Sequence, residues 1–355
     1  MKMNSVRLAA AALCFACMPG ARAATPAEDG LRTNQGKIIP GKISSVHGPI
    51  VIVATARSQM IAMLDGLDEQ SLGKVAEFLA TKPAVRPKWE GSQSAVARSL
   101  NKKLLILQGD KLVPFNPGER PEPEFYLAYF SAHWCAPCRA FTPELVAGYA
   151  SLQAKYPGVF ELVFLSDDES SFDQVTYARE AKMPWPMVKF SAAEGIVPFE
   201  QWHGRGIPDL MVTNREGRVI FKSYEGEEYI GPREVLNRFS LFLTEIDPAN
   251  PATKRSRYRL EAIAHVRSSA QAPVAVKPYM VSLNPRRYQT LQPREFTARL
   301  KIDAAGKVAE VVSTNPALDL VLDQQFQHDT AEWLFLPAAE HGQAKECTID
   351  LPIRI

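Results

Sequence analysis

The stretch that decides the fold is Tyr126-Leu-Ala-Tyr-Phe-Ser-Ala-His-Trp-Cys135-Ala-Pro-Cys138-Arg-Ala-Phe-Thr-Pro143. Its apolar, aromatic run predicts a buried strand, and a segment compatible with a helix begins directly afterwards, at Cys-Ala-Pro-Cys. This order places Cys135 at a helix N-terminus, where unpaired backbone N–H groups and the helix dipole favour a negative charge. The pKa of a thiol in such a position can fall from about 8.5 to about 7 or below. The pattern therefore indicates a nucleophilic thiolate at Cys135.

Cys138 lies one helical turn after Cys135 and can attack a mixed disulfide formed by the first cysteine. The pair therefore indicates thiol–disulfide exchange by a redox-active Cys135–Cys138 disulfide, without a separate cofactor. Half of a zinc site and a purely structural disulfide are the two alternatives. A zinc site usually needs a second pair of ligands at comparable spacing. Since Cys14, Cys17, Cys347 and the six histidines form no such pair, we expect no metal.

The N-terminus has the three parts of a secretory signal peptide. Basic residues within 1–7 precede an apolar run at residues 8–18, and Ala21-Arg-Ala23 is an A-x-A cleavage site. Such a short apolar run cannot span a bilayer. We expect residues 1–23 to be removed as a signal peptide and the remaining chain to be a soluble periplasmic protein.

Composition narrows the class of protein. Removal of the signal peptide takes away three basic residues and no acidic one, which changes the net charge from +2 to about −1. Without a basic stripe or a second long apolar run, we expect no nucleic-acid partner and no membrane span. The length of 355 residues predicts two or three domains.

Residues 96–245 alternate between predicted strands and helices. Three apolar runs predict buried strands, at residues 104–107, 125–130 and 160–165. The helix-compatible segment 138–156 makes the second and third of these a βαβ unit with parallel strands. Residues 209–222 then predict an antiparallel hairpin, and residues 232–243 a closing helix. This order is the plan of an α/β thioredoxin-like fold.

Four motifs in this region resemble the tryparedoxin/nucleoredoxin branch of thioredoxin-like proteins. They are Tyr-Phe-Ser-Ala-x-Trp-Cys-x-Pro-Cys-Arg-x-Phe-Thr-Pro, Val163-Phe-Leu-Ser-Asp167, Met183-Pro-Trp185 and Gly206-Ile-Pro208. The resemblance implies a cis proline, Pro208, that faces the cysteine pair, with Ile207 offering main chain to an extended substrate. We expect Trp134, beside the nucleophile, to form a wall of the substrate groove.

One position departs from ordinary thioredoxins. They carry a buried Asp six residues before the first active cysteine, where it assists proton transfer to the second cysteine. This chain has Tyr129 there, as the tryparedoxin-like branch tends to have. The proton acceptor for Cys138 is therefore open, with Asp167 and Asp168 as candidates, although such residues are more often solvated, inert loop carboxylates.

Further residues beside the cysteines are candidates for tuning the thiolate. His133 would act through its charge, with a neutral surface histidine as the alternative, and Arg139 would help to hold a thiolate. Pro137 lies between the cysteines, but the Ala-Pro pair does not fix whether the protein reduces, oxidises or isomerises disulfides.

Residues 31–80 predict a small β module with a helix. Two β runs flank the turn His47-Gly48-Pro49, in which His47 is interpreted as a turn residue, and a helix with an apolar face follows. The module resembles SLA1-homology-1-like modules, and a hairpin and helix that only pack on the next domain is the alternative. Residues 81–95, which are rich in Pro, Lys and Ser, are predicted to be a linker.

Residues 246–272 are predicted to be a linker with a short helix near 260–266, and residues 273–355 an α+β domain. A hairpin at 296–313 precedes an amphipathic helix at 318–333 and a last strand. The apolar face of that helix is predicted to contain Leu318, Val321, Leu322, Phe326 and Trp333. Ile-Asp-x-x-Gly-x-Val and Trp333-x-Phe335-x-Pro337-Ala338 resemble the TonB C-terminal domain.

Energy-transducing relatives of that domain bind receptor peptides by strand addition and have a membrane anchor and a Pro-rich spacer. We find neither feature in this sequence, and we expect residues 273–355 to contact envelope proteins instead. Cys347, before the last strand, is interpreted as a buried, inert thiol.

These observations predict a periplasmic thiol–disulfide oxidoreductase that acts on disulfides of protein substrates, as a reductase rather than an oxidase. Its electrons would come from a membrane thiol–disulfide donor. The alternative is a non-catalytic envelope adaptor, in which the thioredoxin-like and TonB-C-like domains only dock peptides.

Overall fold

The computed structural model describes residues 30–55, 59–81, 86–192, 196, 199, 203–292 and 294–354. The expected signal peptide, residues 1–23, lies outside the described residues. In the described part of the chain, no helix combines the length and the apolar character needed to cross a membrane.

The N-terminal module is a small β structure closed by one helix. Its elements are Gly30–Arg32 (β1), Ile38–Pro40 (β2), Lys42–His47 (β3), Ile50–Ala54 (β4), Gln59–Met63 (β5) and Glu69–Ala80 (α1). The predicted hairpin is β3 and β4, and β5 adds a third antiparallel strand. Asp68 caps α1 by accepting a hydrogen bond from the backbone N–H of Ser71 at 2.8 Å. Val51, Val53 and Leu72 are buried in the core between sheet and helix.

The central domain is built on one seven-stranded sheet. Its helices are Ala95–Leu100 (α2), Ala136–Lys155 (α3), Ser171–Glu180 (α4) and Pro232–Ile246 (α5). Its strands are Leu104–Gln108 (β6), Lys111–Pro114 (β7), Phe125–Ser131 (β8), Phe160–Ser166 (β9), Met187–Val188 (β10), Asp209–Asn214 (β11) and Val219–Lys222 (β12). The strand order is β12-β11-β8-β9-β10-β6-β7, and Tyr224–Glu225 (β13) and Glu228–Tyr229 (β14) form a separate hairpin.

The register of the three central strands positions the site. All seven residues of β8 are buried, as an aromatic and aliphatic run between two layers of helices requires. β8 pairs in parallel with β9 and antiparallel with β11, and α3 makes the crossover from β8 to β9. Because Phe130 near the end of β8 lies opposite Asp209 at the start of β11, the loops at these strand ends meet at one edge of the sheet.

The central domain begins earlier than residue 96. Trp89 is buried and packs against Tyr126 of β8, with 5.8 Å between the ring centroids. A backbone bridge joins Lys88 to Pro121, and Ser94 caps α2. Residues 86–95 therefore pack on the central domain, although their composition predicted a linker.

A long helix, Pro251–Ser268 (α6), connects all three units, where the sequence predicted a linker and a short helix. Leu260 is buried in the core of the N-terminal module, and Arg267 donates to the carbonyl oxygen of Gly73 in α1 at 2.9 Å. On the same helix, the hydroxyl of Tyr258 donates to the carbonyl oxygen of Phe335 in the C-terminal domain at 3.1 Å. Helix α6 is thus part of the packed structure and not a free connection.

The C-terminal domain is α+β. Its elements are Lys277–Met280 (β15), Glu295–Ile302 (β16), Val308–Asn315 (β17), Leu320–Thr330 (α7), Leu334–Leu336 (β18), Ala338–Glu340 (β19), Gln343–Lys345 (β20) and Cys347–Arg354 (β21). The largest sheet has the order β17-β16-β21. The indole N–H of Trp333, which is buried in the core, donates to the carbonyl oxygen of Ser282 at 2.8 Å.

Two predictions for this domain need correction. Val321 is 75% exposed and is not on the apolar face of α7. The helix presents Leu322 and Phe326, one turn apart, to the core, and this orientation turns Val321 to solvent. Cys347 is half-buried and not fully buried, and partial burial together with the charge of Glu346 raises the pKa of its thiol.

His47 is not simply a turn residue. Its buried side chain, at the end of β3, reaches the central domain, where Nδ1 lies 2.6 Å from Glu124 Oε1. The ring also packs against Phe125 and Phe242, with centroid distances of 4.8 and 5.7 Å. Burial alone would raise the pKa of Glu124, but the hydrogen bond and charge of His47 outweigh it and lower that pKa. The N-terminal module is therefore attached to the central domain through a buried polar contact.

Candidate active site

The cysteine pair lies where β8 gives way to α3. The backbone N–H of Cys135 donates to the carbonyl oxygen of Ala132 at 3.2 Å, and Cys135 is the N-cap residue of α3. Its Sγ accepts a hydrogen bond from the backbone N–H of Cys138 at 3.2 Å, which is how a helix N-terminus stabilises an anion. The two cysteines form a disulfide.

The two sulfur atoms differ in access. Cys138 is fully buried, whereas Cys135 is 5% exposed and lines a surface groove of about 470 Å³. The groove is lined by Trp134, Cys135, Ala136, Pro137, Asp167, His203, Gly204, Arg205, Gly206 and Ile207. Only the first cysteine of the pair can therefore meet a substrate that lies in this groove.

The loop before β11 forms the wall opposite the cysteines. The Ile207–Pro208 peptide bond is cis, and the carbonyl oxygen of Ile207 lies 3.8 Å from Cys135 Sγ. The hydroxyl of Tyr229 donates to the carbonyl oxygen of Pro208 at 2.7 Å, and that of Tyr224 to Gly206 at 3.4 Å. These contacts hold the loop where one extended peptide can touch both Ile207 and Cys135.

Beyond this loop lies a second groove of about 340 Å³. It is lined by Pro137, Ala140, Phe141, Pro208, Tyr229, Ile230, Gly231, Pro232 and Arg233. Pro137 borders both grooves, so the residue between the cysteines separates two places where side chains of a substrate can lie.

Trp134 projects beside the nucleophile. Its side chain is 61% exposed, although large aromatic side chains are usually buried. The indole N–H donates to the carbonyl oxygen of Asp167 at 3.2 Å, which holds the ring at the edge of the larger groove. The exposure and the fixed orientation suit a wall for a substrate.

Tyr129 belongs to a buried cluster of hydroxyl groups beneath the cysteines. Its hydroxyl lies 2.8 Å from that of Thr142, which also contacts Tyr177 and donates to the carbonyl oxygen of Cys138 at 2.9 Å. Burial and the neighbouring Tyr177 raise the pKa of Tyr129 far above its ordinary value. Tyr129 is therefore a neutral phenol that supports the first turn of α3 and no acceptor for the Cys138 proton.

The two aspartates after β9 have different surroundings. Asp168 is buried, and its Oδ1 accepts from the backbone N–H of His133 at 2.6 Å while its Oδ2 accepts from the Ser166 hydroxyl at 2.7 Å. The interpretation of Asp168 as a solvated loop carboxylate is therefore wrong. Asp167 lines the groove and faces His203, with 3.7 Å between Oδ2 and Nε2.

The two basic candidates beside the cysteines are already engaged. His133 Nε2 lies 3.0 Å from Glu180 Oε2, and the guanidinium of Arg139 donates to the carbonyl oxygen of His133. These contacts shape the turn before α3. Within the described residues, no group of three His, Cys, Asp or Glu side chains is placed to hold a metal ion.

His203 is the residue of the groove that the sequence analysis missed. Its ring stacks on Phe130 at a centroid distance of 4.0 Å, and Nδ1 lies 3.2 Å from Oδ2 of the buried Asp209. Burial alone would lower the pKa of His203, but the hydrogen bonds and charges of Asp167 and Asp209 outweigh it and raise that pKa to about 9. His203 lies 36 residues after Asp167 in the sequence and gives no sequence signal, because its partners meet it only in the fold.

Comparison with known proteins assigns the central domain. A family model described as thioredoxin-like matches residues 124–219, which contain β8, α3, β9 and the loop with the cis proline. Residues 124–219 thus form a thioredoxin-like domain.

Similar proteins belong to the same branch as the motifs. Probable nucleoredoxin 1 from Arabidopsis thaliana is 38% identical over 109 residues, which are 28% of this chain and 18% of that protein. Nucleoredoxin from Homo sapiens is 36% identical over 110 residues, 31% of this chain and 23% of that protein. The solved structure of tryparedoxin II from C. fasciculata is 28% identical, covers 36% of this chain and 86% of its own, and has a TM-score of 0.30.

The chain thus spans about a fifth to a quarter of the length of the curated relatives it matches. The relatives are thioredoxin-like redox proteins, which agrees with the cysteine pair in the matched segment. The resemblances of residues 31–80 and 273–355 to SLA1-homology-1-like and TonB C-terminal domains stay predictions.

Proposed function

We propose that this protein is a periplasmic thiol–disulfide oxidoreductase that reduces disulfides of protein substrates. The observation that carries the proposal is the difference between the two cysteines. Cys135 caps the N-terminus of α3 and opens into the groove, whereas Cys138 is fully buried behind it. This arrangement suits an attacking thiol and a resolving thiol.

The exchange takes place in two displacements. The Cys135 thiolate attacks one sulfur of the substrate disulfide, and the other substrate sulfur leaves as a thiolate that takes a proton from solvent. Cys138 then loses its proton and attacks Cys135 Sγ, which releases the second substrate thiolate. The substrate gains two electrons, and the Cys135–Cys138 pair loses them. A dithiol donor returns the pair to the reduced state, so no separate cofactor takes part.

Substrate binding is proposed for the main chain around Ile207 and Pro208. The Ile207 carbonyl oxygen lies 3.8 Å from Cys135 Sγ, in the wall of the same groove. An extended peptide that places its cysteine at this distance would lie against the exposed indole of Trp134.

The setting of the reaction rests on the sequence. The signal peptide predicted at residues 1–23 supports export, and an exported reductase needs a membrane thiol–disulfide donor because NADPH-linked reductases are cytosolic. Residues 273–355 are proposed to bind envelope proteins, because among their described residues they offer one cysteine, whose thiol has a raised pKa.

Turnover of a generic disulfide tests the proposal. The mature protein with dithiothreitol should reduce the disulfides of insulin, and Cys135→Ser should abolish this activity. The equilibrium constant of the Cys135–Cys138 pair with glutathione decides the direction. A potential near that of thioredoxin, about −270 mV, supports a reductase, and one near −120 mV supports an oxidase.

The non-catalytic adaptor is the second candidate. It is supported by two adjoining grooves that could dock a peptide without any exchange. If the protein is an adaptor, the wild type and Cys135→Ser should bind peptides equally well. The wild type should then show no insulin reduction above the uncatalysed rate.

A further inference from the structure

Four segments around Cys135 are held together through His203. Its Nδ1 contacts Asp209 at the start of β11, and its Nε2 faces Asp167 after β9. Its ring lies on Phe130 of β8, and the backbone N–H of the neighbouring Gly204 donates to Asp209 Oδ2 at 2.8 Å. The histidine thus belongs to the loop of the cis proline but makes its contacts on the strands that flank it.

Asp209 is suited to hold a charged partner. Its side chain is 1% exposed, and its second oxygen, Oδ1, has no hydrogen-bond partner among the described residues. A buried carboxylate with one unpaired oxygen is costly unless a positive charge lies beside it. His203 supplies that charge when both ring nitrogens carry protons.

The other charged and titratable groups near this histidine do not replace it. Arg205, on the same loop, pairs with Glu227 at 2.7 Å. The hydroxyl of Tyr224 donates to the carbonyl oxygen of Gly206. Partial burial and the charge of Asp209 raise the pKa of Tyr224, so this phenol is neutral. Phe130 contributes an uncharged ring from β8. His203 is therefore the cation between Asp167 and Asp209.

The contact reaches the substrate side of the groove through Asp167. The carbonyl oxygen of Asp167 accepts the indole hydrogen bond of Trp134, while its carboxylate faces His203. A shift of the loop after β9 would therefore move the Trp134 ring and change the distance between this loop and Ile207. Trp134 and Ile207 both line the groove that contains Cys135.

We propose that His203 is a positioning residue, a protonated latch between Asp167 and Asp209 that sets the width of the substrate groove between Trp134 and the cis-proline loop. The proposal rests on the proposed disulfide exchange for its kinetic consequence, whereas the latch itself is a property of the fold. The side-chain contacts of His203 are with Asp167, Asp209 and Phe130, and the proposed role is not one in the sulfur chemistry itself. It acts by holding the two walls against which a substrate docks.

The latch should depend on pH. The pKa of His203 is raised to about 9 in the folded protein, above the ordinary value of 6.5. The latch is therefore complete near neutral pH and is lost as the pH rises through about 9. The reduction of Cys135 and of the substrate also depends on pH. The informative quantity is therefore the ratio of kcat/KM of the wild type to kcat/KM of the variant at each pH.

The kinetic test compares three variants with the wild type. We expect His203→Gln and Asp167→Asn each to raise KM for a disulfide peptide about tenfold near pH 7, because each removes the charge pair between His203 and Asp167, with kcat changed less. The double variant should be no worse than His203→Gln alone, because His203→Gln already removes the contact with Asp167. His328→Gln, an exposed histidine on α7, is the matched control and should keep the wild-type KM.

The pH profile separates a latch from a general loss of structure. The wild-type advantage in kcat/KM over His203→Gln should be about tenfold at pH 7 and should approach one above pH 9.5. An unchanged KM in both single variants, or an advantage that stays constant with pH, would overturn the proposal. Asp167→Asn changes a partly exposed side chain, so it keeps the test open if His203→Gln fails to fold.

A readout without turnover distinguishes failure of the latch from failure of the proposed exchange. The indole ¹H–¹⁵N resonance of Trp134, assigned with Trp134→Phe, should titrate near pH 9 in the wild type and lose that titration in His203→Gln. If the protein reduced no disulfide but this titration were present, the exchange would be wrong and the latch correct. A resonance that does not titrate near pH 9 would refute the latch even in an active protein.

Discussion

Helix α6 is an integral part of the N-terminal module, and one substitution tests this directly. Leu260 of α6 is 8% exposed and contacts the core that contains Val51, Val53 and Leu72. Truncation to Ala removes nearly all of a buried Leu side chain and leaves a cavity, which costs about 2–5 kcal/mol. We therefore expect Leu260→Ala to destabilise the N-terminal module by about 3 kcal/mol.

Leu241→Ala on α5 is the matched control for this prediction. Leu241 is 54% exposed, so the same truncation loses about half of the transfer free energy and leaves no cavity, which costs about 1 kcal/mol or less. Hydrogen exchange measured by mass spectrometry reports each segment separately. Amides of β4 should exchange on the order of 100-fold faster in Leu260→Ala when exchange occurs through opening of the module. If β4 were equally protected in both variants, α6 would be a linker and our description of its packing would be wrong.

Three further predictions concern separate parts of the molecule. A chain that ends at residue 272 keeps α6 and should reduce insulin at nearly the wild-type rate. A chain that ends at residue 248 lacks α6 and should be less stable in thermal unfolding, because the core that Leu260 covers is exposed. Equal stability of the two truncated chains would contradict this prediction. Tyr177→Phe should lower the free energy of unfolding by about 1–3 kcal/mol in urea, because the Thr142 and Ser131 hydroxyls lose a buried partner. The pKa of Glu124 in the folded protein lies below its ordinary value of 4.5. Glu124 therefore stabilises the fold above pH 4.5, and this contribution is lost as the pH falls through the folded-state pKa. Glu124→Gln should therefore flatten the loss of stability below pH 4.5, and an unchanged acid profile would argue against the contact with His47.

The local pattern of the sequence was sufficient for the main elements around Cys135, whereas β7, α4 and β10 were not predicted. The apolar run before Cys135, the helix-compatible segment after it and the later hairpin are each recognisable locally, and a parallel pair joined by a helix has few possible topologies. The position of Cys135 at the N-terminus of α3 follows from the same pattern. The resemblance added Pro208, whose place beside the cysteines no periodicity indicates.

Contacts between distant segments were beyond the sequence. His203 meets Asp167 and Asp209 only because β8 lies between β9 and β11, and the sequence shows it as a lone polar residue. Helix α6 was predicted only in part for a similar reason. Its early residues are mostly polar, and the apolar side of the helix is divided between two partners, so Leu260 and Tyr258 give no single apolar stripe.

The central claim is that Cys135 attacks and Cys138 resolves, and trapping of the intermediate tests it most directly. The reduced variants Cys135→Ser and Cys138→Ser are each incubated near pH 7 with insulin whose disulfides are intact. The reaction is quenched with an alkylating reagent, and the products are identified by mass spectrometry. Cys347, which has a raised pKa and is present in both variants, is the internal control for a non-specific thiol. We expect Cys138→Ser to accumulate a mixed disulfide at Cys135 and Cys135→Ser to form almost none. A mixed disulfide at Cys138 in Cys135→Ser, at a yield equal to or above that in Cys138→Ser, would contradict the assignment.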